Sequence, residues 1–385
     1  MEFKEWFCLN NRDSFTIDPK VNPTDARFYF GRVEIKNRIQ NQVRRAFVDP
    51  GTPKMFIYGP WGSGKTQTLF YLEHLLQTSI SLPKKLEARS IHLDLEMRSK
   101  SDFGDWHLQL LEKLGKETVT QWVEELSKRG PNLEAELRGI FRDLNMVQTT
   151  RNLLLGGEAG FTAWRWLCGQ SLSTKELEQL KVTRNLGQIG SGDMVNVLVG
   201  VGRLAEANRQ KLVFFMDEAE QFKNVRVGDA LESLHDYVRK LAEPSNSATG
   251  FVIAGTAVTV DDMPELLVRP DVRTRIGEIN IIEIPHLPAV TEVEAFLKEL
   301  LAELVETKKA ERKIQEESLG VTVDTYPLTG AAFDLLCEFA AADPIKCLPR
   351  NVIKALNECC IAAWDDNKAI VDDSIVNDIA PIIFG

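Results

Sequence analysis

Two hydrophobic periods alternate along the first 285 residues. Residues 32–45, RVEIKNRIQNQVRR, set Ile35, Ile39 and Val43 on one stripe at helical spacing and leave the other faces basic, which predicts an amphipathic helix. Residues 55–58, MFIY, form a short apolar run that closes on a glycine, the pattern of a buried strand. The next segment, 66–77, returns to helical period through Leu69, Leu72, Leu75 and Leu76. Further buried-strand runs are SIHLDL (90–95), KLVFFM (211–216), GFVIAG (250–255) and INIIEIP (279–285). Strands separated by helical segments predict an α/β domain built on a mainly parallel sheet. Beyond residue 285 the strand signal stops, and helices are predicted at 291–306, 329–342, 348–364 and 372–380.

One spacing breaks this rhythm. The runs SIHLDL and KLVFFM are separated by 115 residues, far more than a single crossover helix requires. The gap reads as several helices around an irregular middle, LLLGGEAGFTAWRWLCG, and holds four of the seven tryptophans: Trp106, Trp122, Trp164 and Trp166. The expected organisation is an N-terminal segment with the basic helix (1–45), an α/β domain (46–285) with a helical insertion at about 97–210, and an all-helical domain (286–385).

Composition narrows the classes. The formal charge is −10, but it is not spread evenly: residues 286–385 hold 9 Lys/Arg against 18 Asp/Glu, and the rest is close to balanced. The low pI therefore says little about whether the front of the chain meets an anion. The six cysteines form no C-x-x-C pair and the five histidines are scattered, so a Cys/His metal site is not expected and the usage suits a reducing compartment. The start, MEFKEWFCLN, lacks the apolar run of a signal peptide, and no apolar run approaches the ~20 residues needed to cross a bilayer. A cytoplasmic protein with no membrane association is the expectation.

The strand at 55–58 runs into GPWGSGKT (59–66), which fits G-x-x-x-x-G-K-[ST] between a strand and a helix. Gly62 and Gly64 let the backbone wrap an anion without a Cβ in the way, and the loop amides converge on phosphate oxygens at the helix N-terminus. Lys65 can reach the β- and γ-phosphates of ATP, and the Thr66 hydroxyl can ligate Mg2+. The expected nucleotide-binding set is Gly59, Pro60, Gly62, Ser63, Gly64, Lys65, Thr66 and Gln67. The run KLVFFM ends in Asp217-Glu218, two carboxylates at the C-terminal edge of a buried strand, where open α/β sheets bind ligands. Asp217 is assigned to the magnesium shell and Glu218 to polarising the attacking water as general base.

With these motifs in place the sequence resembles the AAA+ ATPases, and within them the replication-initiator (origin-recognition and cell-division-control) branch and related bacterial DNA-transaction ATPases. The matching stretches are YFGRVEIKNRI, GPWGSGKT, FFMDEAEQF, FVIAGTA, RPDVRTRIG followed by IEIPHL, and CLPRNVIKALN, in the family's order from about residue 28 onward. The insertion is not covered. The resemblance implies a P-loop core with a C-terminal helical lid. It also implies that Arg32 and Ile35 lie beside the adenine, that Thr256 orients the water near the γ-phosphate, and that Arg350 is lowered by the lid onto the phosphates. In RPDVRTRIG it implies a finger that reaches a neighbouring subunit's nucleotide. Arg275 is the first choice and Arg273 the second, while Arg269 precedes Pro270 and marks the turn. The alternative is that these arginines balance Asp261, Asp262, Asp271 and Glu278 on the surface.

A finger makes the active form a homo-oligomer, a ring or a filament. Initiators usually carry a winged-helix domain after the lid. This chain stops at Gly385, so sequence-specific origin binding is not expected; contact with duplex DNA would be through the backbone, from the basic helix and RSK at 98–100. The expected function is an oligomeric Mg-dependent ATPase that regulates or loads a DNA-transaction machine of mobile-element, replication or phage-defence type. The alternative is an ATP-controlled scaffold that recruits an effector protein, with the tryptophans of the insertion either anchoring that partner or forming core. A protein-remodelling motor ranks last, since Phe103-Gly104 is poorly placed for a pore loop.

Overall fold

A computed structural model of the chain describes residues 1–48, 52–78, 80, 86–188, 190–287 and 289–385. It divides into two compact units, Ile39–Tyr58 with Leu72–Glu283, and Met1–Arg38 with Gly59–Tyr71 and Ile284–Gly385.

The first of these units is built on a five-stranded parallel sheet. Its strands are β1 (Lys54–Gly59), β2 (Glu87–Asp94), β3 (Gln210–Asp217), β4 (Thr249–Thr256) and β5 (Ile281–Glu283), in the order β2-β3-β4-β1-β5. β3 and β4 are buried almost end to end, which is why they read as unbroken apolar runs rather than alternating ones. β5 is shorter than its apolar run because Glu278–Asn280 close into a 3-10 turn first. Register places Asp94 opposite Asp217 at the carboxyl end of the β2–β3 pair.

The segment between β2 and β3 folds into helices, among them Phe103–Leu114, Lys116–Ser127, Gly157–Leu167 and Ser191–Ala207. These helices share one apolar core with the sheet. All four tryptophans of the segment lie in that core, none more than 7% exposed. Trp106 packs edge-on against Phe222 with ring centroids 5.0 Å apart, and the Trp122 indole N–H donates to Gln210 Oε1 at 3.0 Å. The choice left open for these tryptophans therefore falls to core, and they are not available to anchor an effector. Phe103 opens its helix and stacks toward Tyr237, so it is not a pore residue either.

The second unit gathers the C-terminal helices Val290–Leu304, Thr307–Glu316, Gly330–Ala342, Pro349–Asp365 and Asp373–Phe384. Thr307–Glu316 had no apolar period to announce it, since Ala310 is its one buried residue. The N-terminal segment, read from sequence as a region of its own, shares the core of these helices through Phe7, Phe15 and Phe28. Leu9 bridges Val305 as an antiparallel pair, and the Phe15 amide donates to Asn357 Oδ1 at 3.1 Å.

No helix among the described residues is long and apolar enough to cross a membrane.

Candidate nucleotide site

The first position of the phosphate loop is cut to glycine by its surroundings. A Cβ on Gly59 would sit 2.2 Å from the Ile284 carbonyl oxygen and 2.8 Å from Ser63 Oγ, so no other residue fits there. Gly62 and Gly64 have φ of +82° and +97°, the left-handed region that glycine enters without strain. Lys65 opens the helix Lys65–Thr78, and its ammonium donates to the carbonyls of Gly59 and Pro60 at 3.1 and 3.0 Å. It thus lies across the loop, within reach of an anion seated on the amides. Ser63 is fully buried, and its hydroxyl has no hydrogen-bond partner among the described residues.

Two side chains tie this loop to the N-terminal segment. Gln67 Nε2 donates to the carbonyls of Asp25 and Phe28 at 2.7 and 2.6 Å. Arg32, at φ +51°, donates from Nη1 to the Ser63 carbonyl at 2.6 Å and from Nη2 to the Pro285 carbonyl. Its burial pushes the guanidinium below its ordinary pKa, an effect Tyr29 opposes. The two Nη groups of Arg32 are thus engaged with the backbone that shapes the loop, while its buried Nε has no partner among the described residues. Ile35 lies half-buried on the helix Val33–Val48.

Arg350 lies near the start of the helix Pro349–Asp365 and meets the same loop. Its guanidinium carbon is 4.4 Å from the centroid of the Trp61 ring. A Cβ on Gly62 would lie 3.6 Å from Arg350 Cβ and 3.4 Å from Leu348 Cδ1, so the start of this helix lies next to the loop at Gly62.

The acidic edge of the sheet belongs to the other unit. Asp217 is 5% exposed at the end of β3, and its Oδ1 accepts the Glu218 amide at 3.0 Å. Glu218 is exposed and takes left-handed backbone, φ +61° and ψ +38°, a conformation that costs a side-chain-bearing residue ~1 kcal/mol and concentrates at functional turns. Thr256 ends β4, and its amide donates to Glu220 Oε2 at 2.8 Å. Burial pushes the Glu220 carboxyl up, but hydrogen bonds from Thr256 and the contact with Glu218 outweigh it and leave the pKa below the ordinary value.

Glu220 and Asp94 were absent from the sequence reading. Asp94 becomes visible only in the β2–β3 register, and Glu220 carried the one available signal, a second acid two residues after Glu218.

The three arginines of RPDVRTRIG separate clearly. Arg269 donates to both oxygens of Glu232 at 2.6 and 2.8 Å and to Glu265. Arg273 forms a two-bond pair with Glu278, each at 2.8 Å. Arg275, in the helix Pro270–Ile276, donates to the Asp271 carbonyl and has no ion pair among the described residues. Arg273 is thus balanced by Glu278, one of the acids the surface alternative names, with Asp261 at 3.8 Å, whereas Arg269 is balanced by Glu232 and Glu265, which it does not name, and Arg275 meets a carbonyl.

These features define an α/β core with a five-stranded parallel sheet and a phosphate loop, together with a C-terminal helical domain. No family profile matches the chain, and no curated protein matches it. Solved structures do. The ORC2 protein of Aeropyrum pernix in its ADPNP–ADP complexes superposes with a TM-score of 0.53 at 12% identity, covering 98% of this chain and 72% of that one. Its ADP form gives 0.53 at 12%, over 97% and 73%. Cdc6p of Pyrobaculum aerophilum gives 0.47 at 13%, over 92% and 68%. The likeness to ORC2 establishes the fold, and it is the fold that the resemblance to AAA+ initiators implied.

Proposed function

We propose that the protein is an oligomeric Mg-dependent ATPase whose ATP-driven assembly regulates or loads a DNA-transaction machine. The observation that carries this reading is the phosphate loop, with room for glycine alone at Gly59, left-handed Gly62 and Gly64, and Lys65 laid across its mouth. It is supported by the shared fold with ORC2, which was solved with ADPNP and ADP.

In this reading Lys65 and the loop amides bind the phosphates, and Glu218 takes the proton of the attacking water. Thr256 orients that water, held by Glu220. The hard oxygens of Thr66 and Asp217 suit Mg2+, which when bound neutralises charge on the phosphates. Arg350 acts within the subunit. Arg275 acts on the neighbour's nucleotide, so hydrolysis requires assembly. Duplex DNA would be met through its backbone by the exposed Arg44 and Arg45 of the basic helix.

The test is particle mass by mass photometry with ATP and Mg2+, with and without duplex DNA, for wild type and Glu218→Gln, alongside phosphate release. Large Glu218→Gln assemblies that need DNA, with hydrolysis by the wild type only, are expected. Assemblies indifferent to DNA would instead favour an ATP-controlled scaffold. A monomer without hydrolysis under every condition would end this reading.

A further inference from the structure

Trp61 and Arg350 form a pair that the ATPase reading does not use. Trp61 sits inside the phosphate loop, yet it is 63% exposed, an unusual place to leave a large aromatic ring in water. The Arg350 guanidinium covers one face of it at 4.4 Å. The Arg350 side chain has no hydrogen bond and no ion pair among the described residues; the ring is the partner it has. Packing beside the loop explains how the two meet. Pro349 starts the helix, Leu348 is 7% exposed, and the Leu348 side chain and the Arg350 stem both lie next to Gly62.

Stacking on an aromatic face engages the flat side of a guanidinium and leaves its in-plane N–H donors unspent. Those donors stand beside the loop whose amides form an anion site. A long arginine on a helix start would otherwise sample many rotamers, and ordering it at the moment of binding would cost affinity. Here the ring has already reduced that freedom.

We propose that Trp61 is a positioning residue: it holds Arg350 stacked and oriented so that the arginine engages the terminal phosphate of a nucleoside triphosphate, which makes the site favour triphosphate over diphosphate. This rests on the ATPase reading, and in particular on Arg350 serving the bound phosphates. The Trp61 ring itself touches no phosphate; its effect passes through Arg350.

The test is equilibrium binding of fluorescently labelled non-hydrolysable triphosphate and of the matching diphosphate to the full chain, as wild type, Trp61→Ala, Trp61→Phe, Arg350→Ala and the double variant Trp61→Ala/Arg350→Ala. Trp61→Ala is expected to lose about fivefold or more in triphosphate affinity while diphosphate affinity stays within about twofold. Trp61→Phe, which keeps a ring face, should recover most of the loss. The double variant should bind triphosphate no more weakly than Arg350→Ala alone, because the ring has nothing left to position. Equal losses for both nucleotides in Trp61→Ala would overturn the proposal, since the ring would then only shape the loop. So would losses in the double variant that multiply. A wild type that binds neither nucleotide would instead overturn the ATPase reading itself, and a wild type that binds both without any effect of Arg350→Ala would overturn this inference alone.

Discussion

Glu220 holds the backbone amide of Thr256 at 2.8 Å, so the turn after β3 and the last residue of β4 are joined by one carboxylate. Glu220 also hydrogen-bonds with Glu218, and the sheet brings the ends of β3 and β4 together by pairing them in parallel register from Leu212 with Thr249 to Met216 with Ile253. A carboxylate that accepts an amide and faces a second acid constrains the geometry of that acid. Glu220→Ala should therefore lower ATP turnover by about tenfold or more while nucleotide affinity changes little, because the lost interaction orients the water-activating residues rather than the phosphates. Single-turnover hydrolysis set against equilibrium binding separates the two. A parallel fall in affinity would place Glu220 in the binding surface.

The unequal pairing of the arginines predicts unequal variants. Arg275→Ala is expected to abolish hydrolysis yet leave nucleotide binding in place, since the donors it loses in the subunit reach no carboxylate. Arg273→Ala removes a pair with the exposed Glu278, and a surface pair of that kind contributes ~0–1 kcal/mol, so its main readout should be a small fall in stability. Mixing Arg275→Ala with Lys65→Ala subunits should restore activity if the arginine acts across an interface. Failure of that complementation, with both variants inactive, would assign Arg275 a role inside its own subunit.

His107 is fully buried between the Tyr237 hydroxyl, at 3.1 Å from Nδ1, and the Leu167 carbonyl, at 2.9 Å from Nε2. A neutral ring satisfies both, donating from Nε2 and accepting at Nδ1. Burial pushes its pKa down to about 4, against a slight lift from the Leu167 carbonyl. The unfolded chain therefore takes up a proton near pH 6.5 that the folded one refuses. The stabilising effect of the neutral ring is complete above about 6.5 and is lost as pH falls toward 4, by on the order of 3 kcal/mol. Urea titrations from pH 7 to 4 should show this slope. His107→Gln, which cannot titrate, should flatten it even if its stability at pH 7 is lower.

Gly200, in the helix Ser191–Ala207, meets Phe141 face to face. A Cβ there would lie 2.1 Å from Phe141 Cε1, and Phe141 is itself buried. Gly200→Ala gains ~1 kcal/mol in helix propensity but overpacks the core at ~1–3 kcal/mol or more, so the second effect wins and the melting temperature should fall. Phe141→Leu in the same chain should recover part of the loss. A Gly200→Ala variant as stable as the wild type would mean that the ring has room to turn.

Much of this was legible from residue order alone, for a physical reason in each case. β3 and β4 are covered on both faces, so KLVFFM and GFVIAG announce themselves as apolar runs. The phosphate loop is a local structure, in which glycines, a lysine and a helix start lie within eight consecutive residues, and local chemistry survives in a string of letters. What needed the third dimension is whatever depends on residues far apart in the chain. Arg32 turned out to grip the Ser63 and Pro285 carbonyls, 31 and 253 positions away, a partnership that no periodicity encodes. The four tryptophans could have been surface anchors or core, and only their packing into the shared apolar core, Trp106 against Phe222 and Tyr237 and Trp122 bonded to Gln210 among them, decided for core. The fate of the three arginines likewise depended on which carboxylates the fold brings within hydrogen-bond range. Composition supplied the candidates, and the distances chose Glu232 for Arg269, Glu278 for Arg273 and none for Arg275 among the described residues.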